Sequence, residues 1–132
     1  MEPTELNELK YTKTHEWVKV EGDLAYIGIT NFAQTHMGDI VYIEVPDTEV
    51  EIAQGDELGV IESVKSAATI FSPVSGTIVK VNDDLEGSPE LLNQEPYEQY
   101  IVAVEMSNPG DLDELMDLEA YNAFSLTEES EG

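Results

Sequence analysis

Short runs that mix hydrophobic and polar residues recur along most of the chain. The runs rich in β-branched and aromatic residues are 17–20, 24–29, 40–45, 58–64, 69–71, 77–81 and 100–106. Turn-forming residues separate them, as at Gly22, at Gly55 and in the segment 73–76. Many short strands at close spacing are typical of a sandwich or a barrel, so the pattern predicts a mainly β fold.

Three helical signals interrupt the strands. Residues 31–34 precede Gly38, with Asn31 as an expected cap, and Ser88 precedes a proline at the first position of a second short helix. The third and longest signal covers about 111–123, where apolar residues recur near helical spacing at Leu112, Leu115, Met116 and Leu118. We interpret it as an amphipathic helix that packs on the barrel, because apolar stripes usually face a core.

The same pattern divides the chain into a core and two polar ends. We expect an acidic arm at 1–9, one domain at 10–126 that includes the C-terminal helix, and a polar tail at 127–132. A length of 132 residues fits a single domain of this kind.

Composition excludes several classes of function. The chain has 29 acidic and 5 basic residues, a formal net charge of −24 and no cysteine. Nucleic acids and anionic membranes would be repelled, and no thiolate chemistry is available. His15 and His36 lack the neighbouring ligands that a metal site needs, so no metal is expected. No apolar run is long enough to span a membrane and no targeting segment is evident, so the cytoplasm is the expected compartment.

Lys65 is the residue that stands apart. No other lysine or arginine occurs between Lys19 and Lys80, and small residues surround Lys65 at 63 and 66–68. Apolar strand residues approach it from both sides, which would present a single amine at the tip of a hairpin. An ordinary surface lysine remains the alternative, since most lysines are exposed.

A resemblance to a known family bears on this choice. Residues 62–66 followed by 72–77 resemble the lipoylation hairpin of glycine cleavage H proteins. Further blocks resemble that family in the same order, from about residue 11 to residue 121: 11–18, 27–30, 32–34, 38–41, 89–93 and 96–97. Biotin carriers usually place methionines beside the lysine, and lipoyl domains of 2-oxoacid dehydrogenases lack the 15–17 block. The implied fold is a lipoyl-type hammerhead barrel of two small sheets, with short helices and a C-terminal helix.

The resemblance also implies a function. It implies lipoate bound covalently to Lys65, Glu62 as a recognition residue for lipoate-attaching enzymes, and no catalysis by the chain itself. The carrier, expected to be a monomer, would take the aminomethyl group of glycine from the P protein to the T protein, and then electrons to the L protein. Glu16 would face the bound amine, with Thr14 and His36 near the cleft wall. At position 69 the family often has an acid, and Thr69 departs from that.

Two alternative functions remain open at this point. One is a lipoyl-relay protein that serves lipoate transfer or another redox partner, which the departure at Thr69 favours slightly. The other is an unmodified interaction module that has kept the fold.

Overall fold

Two antiparallel sheets form the protein, whose computed structural model describes residues 6–131, with the side chains of residues 7 and 129–131 left aside. The strands of the described chain are β1 Lys10–Tyr11, β2 Glu16–Glu21, β3 Leu24–Ile29, β4 Ile40–Glu44, β5 Glu51–Ile52, β6 Glu57–Ser63, β7 Ala67–Phe71, β8 Gly76–Val81 and β9 Val102–Met106. The α-helices are α1 Asn31–Met37, α2 Asp84–Gly87, α3 Leu91–Gln94 and α4 Leu118–Glu131, and the 3-10 helices are Leu6–Glu8 and Pro109–Glu114.

The larger sheet has six strands in the order β1-β2-β3-β9-β8-β5, and the smaller one has three in the order β4-β6-β7. The β2–β3 hairpin is in register from Glu16 opposite Ile29 to Glu21 opposite Leu24. Its turn needs Gly22, whose φ of 63° suits a residue without a Cβ. The β6–β7 hairpin forms the middle and one edge of the small sheet.

The main core lies between the two sheets. It contains Ile27, Leu58, Ile70, Ile78 and Val104, all nearly inaccessible to solvent. Each such side chain stabilises the fold by about 1.5–3 kcal/mol relative to an exposed position. This interior explains why the strands alternate between apolar and polar residues in the sequence.

A second, aromatic cluster joins β1 and β2 to the C-terminal helix. Leu9, Tyr11, Trp17 and Tyr121 form it, and all are buried. The rings of Tyr11 and Tyr121 stack with their centroids 4.7 Å apart. This cluster therefore ties both ends of the chain to the start of β2.

The predicted strands are confirmed in position, and all their ends agree with the structure within two residues. The strands β1 and β5 were missed because each has only two residues. A run this short carries no periodicity in the sequence.

The predicted caps of the short helices are wrong. Thr30, not Asn31, caps α1, because its side-chain oxygen accepts from the Ala33 amide. The next predicted helix begins at Leu91 with Glu90 as its cap residue and no side-chain cap bond, so the Ser88 hydroxyl does not cap it. Helix α2 was not predicted at all, since four residues are too few for a periodic pattern.

The predicted helix at 111–123 is also wrong in its bounds. Residues Pro109–Glu114 form a 3-10 helix, the chain is then extended, and α4 begins at Leu118. The extended segment arises because Met116 exchanges two backbone hydrogen bonds with Tyr11, at 2.8 and 2.9 Å. A bridge to a distant strand overrides the local helical spacing.

The structure describes the two expected polar ends of the chain in part. Helix α4 continues through Glu131, so the tail expected at 127–132 is helical as far as it is described. Of the expected arm at 1–9, residues 1–5 lie outside the described range, and Leu9 is buried in the aromatic cluster. Within residues 6–131 no helix has the length and hydropathy that crossing a bilayer would need.

Candidate functional site

Lys65 lies in the tight connection between β6 and β7. The Ser63 amide donates to the Ser66 carbonyl at 2.8 Å, and the Ser63 hydroxyl oxygen accepts from the amides of Lys65 and Ser66 at 3.2 and 3.0 Å. The neighbouring Val64 amide donates to the Asp39 carbonyl at 3.0 Å. The backbone of the tip is thus held, while Lys65 itself is exposed.

The stem of the Lys65 side chain lies against the end of α1. A Cβ placed on Gly38, whose φ is 81°, would lie 3.2 Å from the Lys65 Cε atom. Nearby, the Ser66 hydroxyl donates weakly to the Met37 sulfur at 3.8 Å. Glycine at 38 therefore leaves room for the lysine stem to cross the helix end.

The Lys65 amine has no carboxylate partner within 4 Å in the part of the chain that the structure describes. Converting it to a neutral amide would break no ion pair and would bury no charge. An exposed, unpaired amine on a held turn therefore fits a group attached through an amide bond. The residues around it are small and leave the tip accessible.

Glu62 is exposed on the outer face of the small sheet. It pairs in register with Tyr42 of β4 on one side and Ala67 of β7 on the other. The alternation of β6 places the Ile61 side chain on the opposite, buried face. Glu62 is therefore available to an enzyme that approaches the Lys65 tip.

Glu16 has the opposite environment, because only 1% of its surface is exposed. The Thr12 hydroxyl donates to its Oε1 atom at 2.5 Å, the Thr14 hydroxyl donates to the same oxygen, and the Phe71 amide donates to Oε2 at 3.3 Å. Burial raises the pKa of Glu16 above its ordinary value, and these hydrogen bonds and the nearby His15 partly oppose the rise. The carboxylate is thus desolvated, but each of its oxygens accepts at least one hydrogen bond.

A small, mostly apolar groove of about 320 Å³ opens beside Glu16. It is lined by Thr12, Thr14, Glu16, Gln54, Gly55, Phe71, Ser72, Pro73 and Leu115. A carboxylate at such a wall attracts a cation strongly, because little water competes for it. A larger cavity of about 560 Å³ between β4, β8 and α2 contains neither Lys65 nor Glu16.

The two histidines are separated by an aromatic ring. His36 stacks on Phe32 with centroids 4.0 Å apart, and His15 stacks on Phe32 at 4.3 Å. The His36 Nδ1 atom also lies 2.9 Å from the Phe32 carbonyl. Because the Phe32 ring lies against both imidazoles, they are not arranged as ligands of one ion, and residues 6–131 contain no cluster of three or more metal-ligating side chains.

The predicted cleft residues are only partly brought together. Thr14 contacts Glu16, whereas His36 and Thr69 do not line the groove. Thr69 lies on β7, two residues before Phe71, and is half-buried opposite Val60. Position 69 therefore lies along the strand that leads from the Lys65 tip to the Glu16 site.

Sequence reasoning missed Thr12 and the Phe71 amide. No periodic signal could have suggested Thr12, because residues 12–15 form a turn and not extended chain. No sequence signal could have found the Phe71 amide, because it is a backbone group 55 positions away.

Comparisons with known proteins found one family and several similar chains. A model of the family described as "Glycine cleavage H-protein" matches residues 9–128. The "Glycine cleavage system H protein" of Syntrophomonas wolfei is 52% identical over 122 residues, which cover 92% of this chain and 94% of that protein. The protein of the same name from Symbiobacterium thermophilum is 50% identical over 119 residues, or 89% and 93% of the two chains.

A solved structure is similar over the same extent. The crystal structure of a glycine cleavage system H protein from Mycobacterium marinum has a TM-score of 0.81 at 27% identity, and the match covers 89% of this chain and 95% of that one. The predicted fold class, a mainly β lipoyl-type barrel with short helices and a C-terminal helix, is confirmed by this likeness and by the two sheets.

Proposed function

Because the chain belongs to the glycine cleavage H-protein family, we propose that it is a non-catalytic carrier with lipoate bound covalently at Lys65. It takes the aminomethyl group of glycine from the P protein to the T protein and then passes electrons to the L protein. The observation that carries the proposal is the exposed, unpaired amine of Lys65 on a backbone-held hairpin tip. The protein is expected to act as a monomer in the cytoplasm.

Lys65 serves as the attachment point. When bound, lipoate would supply a cyclic disulfide that opens to take up the aminomethyl group on one sulfur, and it would be left as a dithiol once that group has been passed on. The chain contributes a primary amine that a lipoate-attaching enzyme can reach, and exposed Glu62 offers that enzyme a charged contact three residues away. A tethered group meets partner sites at a high effective concentration, which is the physical advantage of a carrier.

Glu16 serves as the residue that receives the amine of the transported group. Its carboxylate is already oriented by Thr12 and Thr14, so a bound ammonium would make a charge-assisted hydrogen bond without reorganising the site. A cation would also counter the raised pKa of Glu16, since a nearby positive charge favours the ionised form. The apolar walls of the groove limit the access of water, which slows hydrolysis.

His36 and Thr69 have a weaker place in the proposal. His36 immediately precedes Met37 and Gly38, which contact the Lys65 hairpin, and Thr69 lies on β7 between Lys65 and Phe71. Both would line the path between the attachment point and Glu16. Thr69 offers a hydroxyl where an acid would offer a charge, so Glu16 carries the electrostatic part alone.

Modification of Lys65 is tested by intact mass spectrometry of the protein purified from its native host, with peptide mapping. The expected result is a lipoyl or octanoyl increment on the peptide that contains Lys65, and unmodified peptides for Lys19 and Lys80. An unmodified Lys65 in cells whose dehydrogenases are lipoylated would contradict the proposal and would favour the unmodified module.

Carriage is tested by incubating the lipoylated protein with P protein and labelled glycine. We expect the label on the wild-type carrier, and Glu16→Ala should be lipoylated normally but should lose the label with a shorter half-life. Glu51→Ala, which removes an exposed acid of β5, is the matched control. If the wild-type protein accepts no label, the proposal fails and the lipoyl-relay function takes its place.

A further inference from the structure

His15 has an unusual backbone for a residue with a side chain. It ends the β1–β2 turn with a φ of 70°, in the left-handed region that glycine and asparagine favour. Its amide donates to the Thr12 carbonyl at 3.1 Å, which closes the turn immediately before Glu16. Strained residues of this kind persist when their surroundings hold them, and they cluster at functional sites.

The surroundings that hold His15 come from the C-terminal helix. Its Nδ1 atom lies 2.8 Å from the Tyr121 hydroxyl, and its Nε2 atom lies 2.8 Å from the Glu128 Oε2 atom. Residues 121 and 128 lie two turns apart on one face of α4, and the imidazole contacts both. We call His15, Tyr121 and Glu128 the His15 clasp.

The clasp also reaches the first turn of α1. The Tyr121 hydroxyl lies 2.7 Å from the Thr30 hydroxyl, which caps α1. The Thr30 amide in turn donates to the His15 carbonyl at 3.0 Å. The peptide group between His15 and Glu16 is therefore held in two ways. Its carbonyl accepts from Thr30, and the His15 imidazole contacts Tyr121 and Glu128.

The turn that the clasp fixes carries the donors of the Glu16 site. Thr12 and Thr14 lie in it, and both donate to the Glu16 carboxylate. If residue 15 relaxed to an ordinary negative φ, the 15–16 peptide would rotate and Thr14 would move relative to Glu16. A glycine at position 15 would adopt this φ without strain, so the histidine is favoured there for its side chain.

We propose that His15 is a positioning residue, and that the clasp to α4 holds the Glu16 carboxylate in its hydrogen-bonded, desolvated place. The inference rests on the proposed function only for the identity of the ligand that Glu16 receives. Helix α4 is, on this view, part of the site although it contributes no residue to the groove lining.

The first test uses Tyr121→Phe and Glu128→Ala in the full-length, unmodified protein. Each removes a polar contact of His15 while leaving His15 in place, and Tyr121→Phe keeps the ring that stacks on Tyr11. Glu119→Ala removes an exposed acid of the same helix and is the matched control. Nuclear magnetic resonance would follow the Glu16 carboxyl carbon and the Phe71 amide through a pH titration.

We expect the raised pKa of Glu16 to fall toward its ordinary value in both clasp variants, because a released turn admits water. Hydrogen exchange at the Phe71 amide should accelerate roughly tenfold, the equivalent of one lost hydrogen bond or two. Glu119→Ala should match the wild type. An unchanged Glu16 titration and an unchanged Phe71 exchange rate in both clasp variants would overturn the proposal.

A second test uses His15→Gly, which preserves the turn geometry and removes the imidazole. We expect a folded protein with faster Phe71 exchange and, after lipoylation and loading, a shorter half-life of the loaded state. Retention of the wild-type exchange rate and half-life would show that the turn alone positions Glu16. If the wild-type carrier itself does not load, the proposed function fails, whereas the Phe71 and Glu16 signals still decide the role of His15.

Discussion

The β6–β7 turn and the β1–β2 turn have similar hydrogen bonds but place their functional side chains in opposite environments. In each, a hydroxyl at the start of the turn accepts backbone amides: Ser63 accepts from Lys65 and Ser66, and Thr12 accepts from Glu16. The first turn leaves its functional side chain in solvent, beside Val64 at 69% exposure, whereas the second buries Glu16 to 1%. An amine that an enzyme must modify has to be accessible, and a carboxylate that must hold a cation gains from being dry.

The difference has an energetic consequence. An exposed tip contributes little to the free energy of unfolding, because its groups are equally well solvated in the unfolded chain. A buried carboxylate is costly unless it is hydrogen-bonded, and Glu16 accepts from two hydroxyls and one amide. Substitutions at the first turn should therefore affect function with little change in stability, and those at the second should affect both function and stability.

The largest expected effect is that of Lys65→Arg. The guanidinium keeps the charge but does not form the amide, so modification and carrier activity should be lost completely. The free energy of unfolding should stay within about 0.5 kcal/mol of the wild type, as measured by urea denaturation. Lys80→Arg is the control and should keep the lipoyl mass increment. A large loss of stability in Lys65→Arg would show that the tip has a structural role. The two turns would then not differ in their contribution to stability.

Thr12→Val should have the largest effect on stability. It keeps the shape of the side chain but removes one of the two donors to the Glu16 Oε1 atom and the acceptor of the Glu16 amide, at a cost of about 2 kcal/mol. Urea denaturation measures the change. Thr14→Val, at an exposed position, should cost less. Equal and negligible effects of the two substitutions would mean that water replaces both hydroxyls and that the site is not dry.

Glu16→Gln should change how stability depends on pH. Burial raises the pKa of Glu16 in the folded state above its ordinary value of about 4.5. The contribution of Glu16 to stability is therefore fully present below about pH 4.5 and is lost as the pH rises through the folded-state pKa. Relative to the wild type, Glu16→Gln should therefore gain stability across that window, by about 1.4 kcal/mol for each pKa unit, and stay level above it. The other carboxyl groups titrate alike in the two proteins, so their contributions cancel in this difference. A difference that is constant between pH 4 and pH 8 would contradict the desolvation of Glu16.

Ser63→Ala should have the smallest effect. It removes the hydroxyl that accepts from Lys65 and Ser66, but these amides are exposed and can bind water instead. We expect a loss of about 0.5 kcal/mol and a modestly slower rate of lipoylation, measured by mass spectrometry over time. Ser107→Ala, at another exposed serine, is the control. A complete loss of modification would mean that the hairpin tip depends on this single hydroxyl.

The sequence by itself determined the mainly β fold and the position of Lys65. Alternation of apolar and polar residues is a local property, and so is the isolation of one lysine among small residues, which is why both could be predicted. The predicted β3 at 24–29 agrees with the structure at both ends, since its side chains alternate against one core. An exposed residue such as Lys65 makes few contacts with distant parts of the chain, so its neighbours in the sequence are enough to predict it.

The tertiary structure alone decided the C-terminal segment and the surroundings of Glu16. Met116 is extended because it pairs with Tyr11, and α4 starts later and runs further than its sequence predicts. Without the family resemblance, Glu16 was one of 29 acids, and only the fold brings the Phe71 amide to its carboxylate and the Tyr121 and Glu128 side chains to the neighbouring His15. These are contacts between residues 55 to 113 positions apart, and such contacts leave no periodic signal in a single sequence. The exposure of Lys65 thus follows from its neighbours in the sequence, whereas the burial of Glu16 depends on contacts between distant parts of the chain.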